Sequence, residues 1–275
     1  MADDPSSLRA TFESVAHLYD GRRPPVPAGL YDAIVSMSGL DAGGRVLEVG
    51  CGTGRATVPM AARGYRITGI ELGPHLADVA RRNLAPYEDV DIQTGEFEMW
   101  EWRGEPFDLL MSLDAWHWLD PAVRTAKTAD LLRDGGGAAI VFGTHVAGGD
   151  TEFFDDTQVF YELYMPGTPP NLRLTEPDDV AANDWGFSSS EDFDPPVFRR
   201  WVTEAEYTTA TYLELIETFS SHIALPSHDR RALFAGIAEL LDARYGGRIR
   251  RATLTELCVA RRRPRRSADQ PPGGV

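Results

Sequence analysis

The chain has 275 residues, 43% of them hydrophobic and 25% charged, and carries a formal net charge of −15. Those values describe an ordinary soluble globule, long enough for one α/β domain with a sizeable core. The acidic balance argues against a duplex-binding surface, which needs clustered cations, and no run of about 18 apolar residues provides a transmembrane helix.

The two cysteines, Cys51 and Cys258, suggest neither a disulfide framework nor a metal site. The opening Met-Ala-Asp-Asp-Pro lacks the basic and apolar regions of a signal peptide. The expectation is a cytoplasmic protein that acts on a small molecule, without nucleic acid, membrane or metal. Nothing in the sequence sets its oligomeric state.

In chain order, apolar residues at 8, 12, 15 and 18 have helical spacing, and Tyr19-Asp20-Gly21-Arg22-Arg23-Pro24 stops that helix. A second helix is predicted over Leu30 to Met37. Arg45 to Gly54 then reads Arg-Val-Leu-Glu-Val-Gly-Cys-Gly-Thr-Gly. It begins as a strand, breaks into Gly50, Gly52 and Gly54, and passes into a helical pattern through Ala56, Val58, Met60 and Ala62. Strand, glycine turn and helix open an α/β nucleotide site: glycines let the backbone approach a ligand, and the helix start offers free N–H groups. Arg55 stands where a dinucleotide fingerprint wants its third glycine. Glu48 would repel a pyrophosphate but suits a ligand carrying an ammonium group.

Tyr65 to Glu71 is the second predicted strand. Its terminal acid lies 17 residues after Gly54, near the spacing at which a carboxylate meets ribose hydroxyls. Leu72 follows it, and a helix over Pro74 to Asn83 comes next. Val90 to Thr94 is a third strand, followed by Gly95-Glu96-Phe97. Phe107 to Leu113 is a fourth, followed by Asp114-Ala115-Trp116-His117-Trp118-Leu119. The carboxyl ends of such strands line the crevice of an open α/β sheet. A neutral His117 there is placed to accept a proton, or else orients and packs between its neighbours. Trp116 and Trp118 either wall an acceptor pocket or serve as core.

A helix over Pro121 to Leu132 and a fifth strand over Ala138 to Gly143 continue the alternation, which calls for a parallel sheet with helices on both faces. Residues 144–194 interrupt it with Phe153, Phe154, Phe160, Tyr161 and Tyr164 at near-helical spacing. An insertion of that length is expected to be a lid over the acceptor, with Phe154 and Tyr161 facing the pocket. A sixth strand over Phe198 to Val202, helices over Tyr207 to Phe219 and Asp229 to Tyr245, and a last strand over Ala252 to Arg262 complete the domain. Residues 263–275 read as a disordered tail.

Together these features resemble the class I S-adenosylmethionine-dependent methyltransferases, small-molecule type, in particular the trans-aconitate and ubiquinone-biosynthesis group. The resemblance covers residues 12 to 262. It implies one doubly wound α/β domain over residues 1–262, with a mostly parallel seven-stranded sheet and an antiparallel final strand. Residues 1–40 would cover the cofactor, and the lid would follow the fifth strand. S-adenosylmethionine is the implied cofactor, and S-adenosylhomocysteine the product. Glu48, Gly50, Cys51, Gly52 and Gly54 would be its first motif, and Glu71 with Leu72 its ribose end. Glu96 would meet the adenine amino group, with Glu98 as a rival, and Phe97 would pack on the ring. Ser112 and Ala115 would border the cofactor after the fourth strand. Tyr19 would cover the sulfonium, and Arg23 would reach the methionine carboxylate. A dehydrogenase on a similar sheet and a non-catalytic binding protein are the competing classes.

Overall fold

The computed structural model describes residues 25–265. The predicted first helix and the candidate residues Tyr19 and Arg23 lie outside them. The fold is a seven-stranded sheet in the order β3-β2-β1-β4-β5-β7-β6. β1 (Arg45–Val49), β2 (Arg66–Glu71), β3 (Val90–Thr94) and β4 (Phe107–Leu113) pair in parallel, and β4 pairs in parallel with β5 (Leu132–Gly149). β7 (Arg248–Arg261) runs antiparallel between β5 and β6 (Val197–Thr208). The sheet therefore has the predicted doubly wound form, with an antiparallel hairpin at one edge.

The parallel strands are apolar on both faces because both faces are covered. Successive side chains point to opposite sides: Val46, Ile67, Leu109 and Val259 join one core, and Leu47, Ile70, Leu110 and Cys258 the other. The first core is closed by α1 (Leu30–Ser38), α2 (Thr57–Ala61) and α3 (Pro74–Leu84). The second is closed by Phe97, by Ala129 and Leu131 of α4 (Pro121–Leu131), and by Trp185, Phe187 and Phe193. Asp120 caps α4, its Oδ1 accepting from the Ala122 N–H at 2.9 Å with Pro121 in the first turn.

A third core lies beside the hairpin. There α5 (Thr151–Tyr164), α6 (Thr209–Glu217) and α8 (Ser227–Tyr245) bury Phe153, Tyr212, Leu233 and Ile237. The short α7 (Ser220–Ile223) joins α6 to α8.

The strands of the hairpin are longer than the sequence suggested. β5 was expected over 138–143, β6 over 198–202 and β7 from 252, yet they run over 132–149, 197–208 and 248–261. β4 reaches no further than Leu113, paired with Val141. Residues 142–149 of β5, with 251–256 of β7 beside them, thus project past the carboxyl edge of the parallel strands. Tyr207, expected to start a helix, lies within β6 opposite Ile249.

Candidate active site

The chain steps outward from β1 through β2 to β3 and then returns to β4 on the other side of β1, and a crevice opens at such a reversal outside the carboxyl ends of the strands. A cavity of about 420 Å³ lies there, within the range that takes a small-molecule ligand. Its near wall is the glycine loop with Glu48, Glu71 and Leu72. The far wall is the projecting hairpin, through Phe142, Gly143, Arg251, Thr253 and Thr255. The start of α1 and the α6–α7 junction border it as well, at Tyr31 and at Phe219 and Ser220.

The glycine loop is folded by contacts that demand its composition. The Gly50 and Cys51 N–H groups both donate to the Ile70 carbonyl, at 2.8 and 3.2 Å, which turns the chain sharply away from β1. Gly50 has φ of 72°, and a Cβ there would overlap that of Ala115, so only glycine lets the loop after β4 close against it. Gly52 also lies in the left-handed region, at φ 56°. A Cβ on it would meet nothing within 4 Å, because this stretch of backbone faces the cavity and leaves a cradle for a ligand. Glu71 ties the loop down. Its Oε2 accepts from the Gly52 N–H at 2.8 Å and its Oε1 from the Gly73 N–H at 2.9 Å.

Glu48 is 1% exposed and lines the cavity. Its Oε2 is buried without a hydrogen-bond partner. Burial raises its pKa from the usual 4.5 to about 8; the Thr57 hydroxyl opposes that rise and the Glu71 charge adds to it. A ligand ammonium against that oxygen would favour the carboxylate. Burial, followed by the Glu48 and Glu71 charges, also pushes the Cys51 thiol well above its ordinary value, which keeps it from acting as a nucleophile near neutral pH. Tyr31 is raised to about 12 by burial and then by Glu48, against Arg55 and Arg63.

After β4 the chain makes a strained turn. Asp114 holds φ 54°, its N–H donating to the Val141 carbonyl at 2.9 Å and its Oδ1 accepting from the Gly143 N–H at 2.8 Å. A non-glycine residue in this region costs roughly 1–3 kcal/mol and is kept where surrounding contacts enforce it. The turn presents His117 and Trp118 to the cavity. The His117 ring centroid lies 4.7 Å from that of Trp118 and 5.2 Å from that of Phe142.

Of the residues the sequence nominated, Glu48, Gly50, Cys51, Gly52, Glu71, Leu72, Phe97, Ala115, His117 and Trp118 line this cavity. Six others stand elsewhere. Gly54 lies against α3, where a Cβ would come within 2.9 Å of Leu84. Ser112 is fully buried and donates to the Val49 carbonyl at 2.9 Å, stitching β4 to β1. Glu96 is exposed at the end of β3, outside the lining. Trp116 turns under the sheet, stacked on Phe187 with centroids 6.1 Å apart. Phe154 and Tyr161 belong to the third core, and no residue from 144 to 194 lines the cavity. Within the segment expected to be a lid, α5 packs in the third core and Trp185 to Phe193 close the second. The reason is that a large aromatic residue gains more by full burial than at a cavity rim.

The sequence reading passed over Asp114 and Arg251. Period-2 alternation carried back from 252 to 248 would have placed Arg251, Thr253 and Thr255 on one face of β7.

Residues 46–136 match a family model described as a methyltransferase domain. An uncharacterized methyltransferase of Mycobacterium bovis is 30% identical over 137 residues, 50% of this chain and 54% of that one. The chain thus spans about half the length of the first curated relatives it matches. A demethylmenaquinone methyltransferase of Tropheryma whipplei is 27% identical over 194 residues, 68% of this chain and 77% of its own. Among solved structures, a proposed type II methyltransferase from Anaeromyxobacter dehalogenans superposes with a TM-score of 0.61 at 22% identity, over 88% of this chain and 99% of that one. The fold is that of the methyltransferase structure it superposes on, and residues 46–136 match a methyltransferase domain.

Proposed function

We propose that this protein transfers the methyl group of S-adenosylmethionine to an oxygen or carbon nucleophile of a small organic acid or specialised metabolite. The observation that carries the reading is the pair of buried carboxylates at the glycine loop. The orphaned Glu48 Oε2 meets the need of an ammonium group, and Glu71, held by Gly52, meets that of ribose hydroxyls. The cradle at Gly52 admits the chain between them. A dinucleotide fits less well, because Arg55 replaces the third glycine of its fingerprint. The net charge of −15 likewise favours a small acceptor over nucleic acid.

When bound, S-adenosylmethionine supplies a methyl carbon on a positively charged sulfur that is already a good leaving group. The residues present then have mainly to position. Glu48 holds the ammonium, Glu71 the ribose, and Phe97 offers an apolar surface for the adenine. Tyr19 and Arg23 are assigned to the sulfonium and the methionine carboxylate. Aligning two reactants in this way is worth roughly 7 to 11 kcal/mol. His117 accepts the proton of an acceptor that must lose one, worth about 10²- to 10⁴-fold. Trp118 and Phe142 wall the acceptor's side, and a likeness to a demethylmenaquinone methyltransferase agrees with a small-molecule acceptor.

Calorimetric titration with S-adenosylhomocysteine tests the reading. One-site micromolar binding is expected, with thermal stabilisation of about 2.7 kcal/mol at 100 times Kd. Stabilisation by NAD in its place would refute it.

A further inference from the structure

The sheet has one long edge that the fold leaves open. β6 pairs with β7 from Val197 to Thr208 without a shift of register. Among the described residues, no backbone hydrogen bond reaches 197–207 from any element but β7. The outer side of such a strand carries a row of N–H and C=O groups that can template another strand. Its side chains are apolar where water would be expected: Val197, Phe198 and Val202 are 53%, 38% and 51% exposed. Edge strands are ordinarily blunted by proline, lysine, a bulge or a covering segment. Between Val197 and Thr208 β6 has no proline, no lysine and no bulge.

The charges of β6 are ordered along it. Arg199 and Arg200 stand in its first half, Glu204 and Glu206 in its second. Opposite charges facing each other across two strands are favourable, and like charges are not. A second copy of β6, laid antiparallel, brings the arginine half of each strand to the glutamate half of the other. A two-fold axis normal to the sheet produces that arrangement and presents the same patch from both copies. It also keeps each face of the sheet continuous, so residues meet only residues of their own face. One face carries Phe198, Arg200, Val202, Glu204 and Glu206. With the axis at Val202, that exposed valine meets its own copy, and Arg200 meets Glu204 of the second copy. Within its own chain, Arg200 Nε donates to Glu256 Oε2 at 2.7 Å, and Glu204 lies 3.7 Å from Arg250. The pairing thereby joins Glu256, Arg200, Glu204 and Arg250 in a row of alternating sign. Sliding one copy by two residues sets Val202 against Glu204 in one sense and against Arg200 in the other.

We infer that β6 is the interface of a homodimer, in which two copies of the chain pair antiparallel about Val202 and join two seven-stranded sheets into one. Residues 197–207 of each copy take part, roughly 36 Å of edge, with about ten backbone hydrogen bonds between the chains. The interface backs onto the cavity: Arg251, Thr253 and Thr255 of its wall pair with Ala205, Thr203 and Trp201 of β6. It stands apart from the reaction proposed above and holds whichever acceptor is used.

The test is sedimentation velocity of the full chain over roughly 1 to 100 µM, a range in which mass action separates dimer from monomer. The wild type is expected to reach the mass of two chains. Val202→Lys and Val202→Glu each place like charges together at the axis, and each should weaken the dimer tenfold or more. An equal mixture of the two variants should restore it. Val202→Cys should join two chains by a disulfide on mild oxidation, because directly opposed residues have Cα atoms about 4.5 to 5.5 Å apart. The wild type should not, its Cys51 and Cys258 being buried. Melting curves check that each variant folds; should the charged ones not fold, Val202→Cys decides. A wild type that stays monomeric overturns the interface, as does one that grows beyond two chains. So does a dimer that both charged variants leave unchanged, one that either of them tightens, or a Val202→Cys dimer that forms no disulfide.

Discussion

Glu48 offers the sharpest test of the cofactor end, because its protonation links folding to ligand binding. In the folded chain its pKa stands at about 8, against 4.5 when exposed to water. Between those values the unfolded chain has lost the proton and the native chain keeps it. Stability then falls as pH rises, at about 1.4 kcal/mol per pH unit. The group costs nothing below about pH 4.5, about 3 kcal/mol at pH 7, and at most about 5 kcal/mol above pH 8. Glu48→Gln keeps the shape and removes the titration. Urea unfolding of the ligand-free chain should give similar stability for both forms at pH 4.5. By pH 8.5 the variant should be several kcal/mol the more stable. The order reverses for binding: Glu48→Gln should bind S-adenosylmethionine at least tenfold more weakly, about 1.4 kcal/mol. Wild-type binding near pH 7 should also release a proton, measured by calorimetry in buffers of different ionisation enthalpy. Parallel stability–pH curves for the two forms would refute a buried, protonated Glu48, and equal affinities would refute its role toward the ammonium.

Glu71→Ala should weaken S-adenosylhomocysteine binding tenfold or more. It should also lower stability in urea by about 1–3 kcal/mol, since the Gly52 and Gly73 N–H groups lose their acceptor; unchanged affinity would sink the ribose assignment. His117→Ala should lower turnover and leave cofactor affinity alone, because its ring packs on Trp118 and Phe142 at the cavity; full turnover would make it an orienting residue only. Phe187→Ala separates lid from core within the 144–194 segment. Phe187 is fully buried between Trp116 and Phe193, so its loss should cost about 3–5 kcal/mol in denaturant, and a stable variant with only a raised KM for the acceptor would restore the lid.

The glycine-loop side of the cavity was legible in the sequence, and the hairpin side much less so. β1, β2 and β4 are buried on both faces, so each reads as an apolar run that ends at glycine or an acid, and the site residues follow at once. The hairpin strands follow a different pattern. β6 alternates Arg199, Trp201 and Thr203 with Arg200, Val202 and Glu204, and such a half-exposed strand has no apolar run to announce where it ends. Its length is set by pairing with β7 over twelve residues, a partner some 40 residues further on. The same limit governs the aromatic insertion. Periodicity places Phe153, Phe154, Phe160 and Tyr161 on a helix, but whether their face meets solvent, a ligand or another helix depends on α8, which begins at Ser227. Trp116 and Trp118 differ by one turn geometry, since the strained Asp114 sends the first beneath the sheet and the second to the cavity. The elements around the glycine loop are thus local in sequence and strongly apolar, whereas the opposite wall of the cavity is built from polar alternation and long-range pairing.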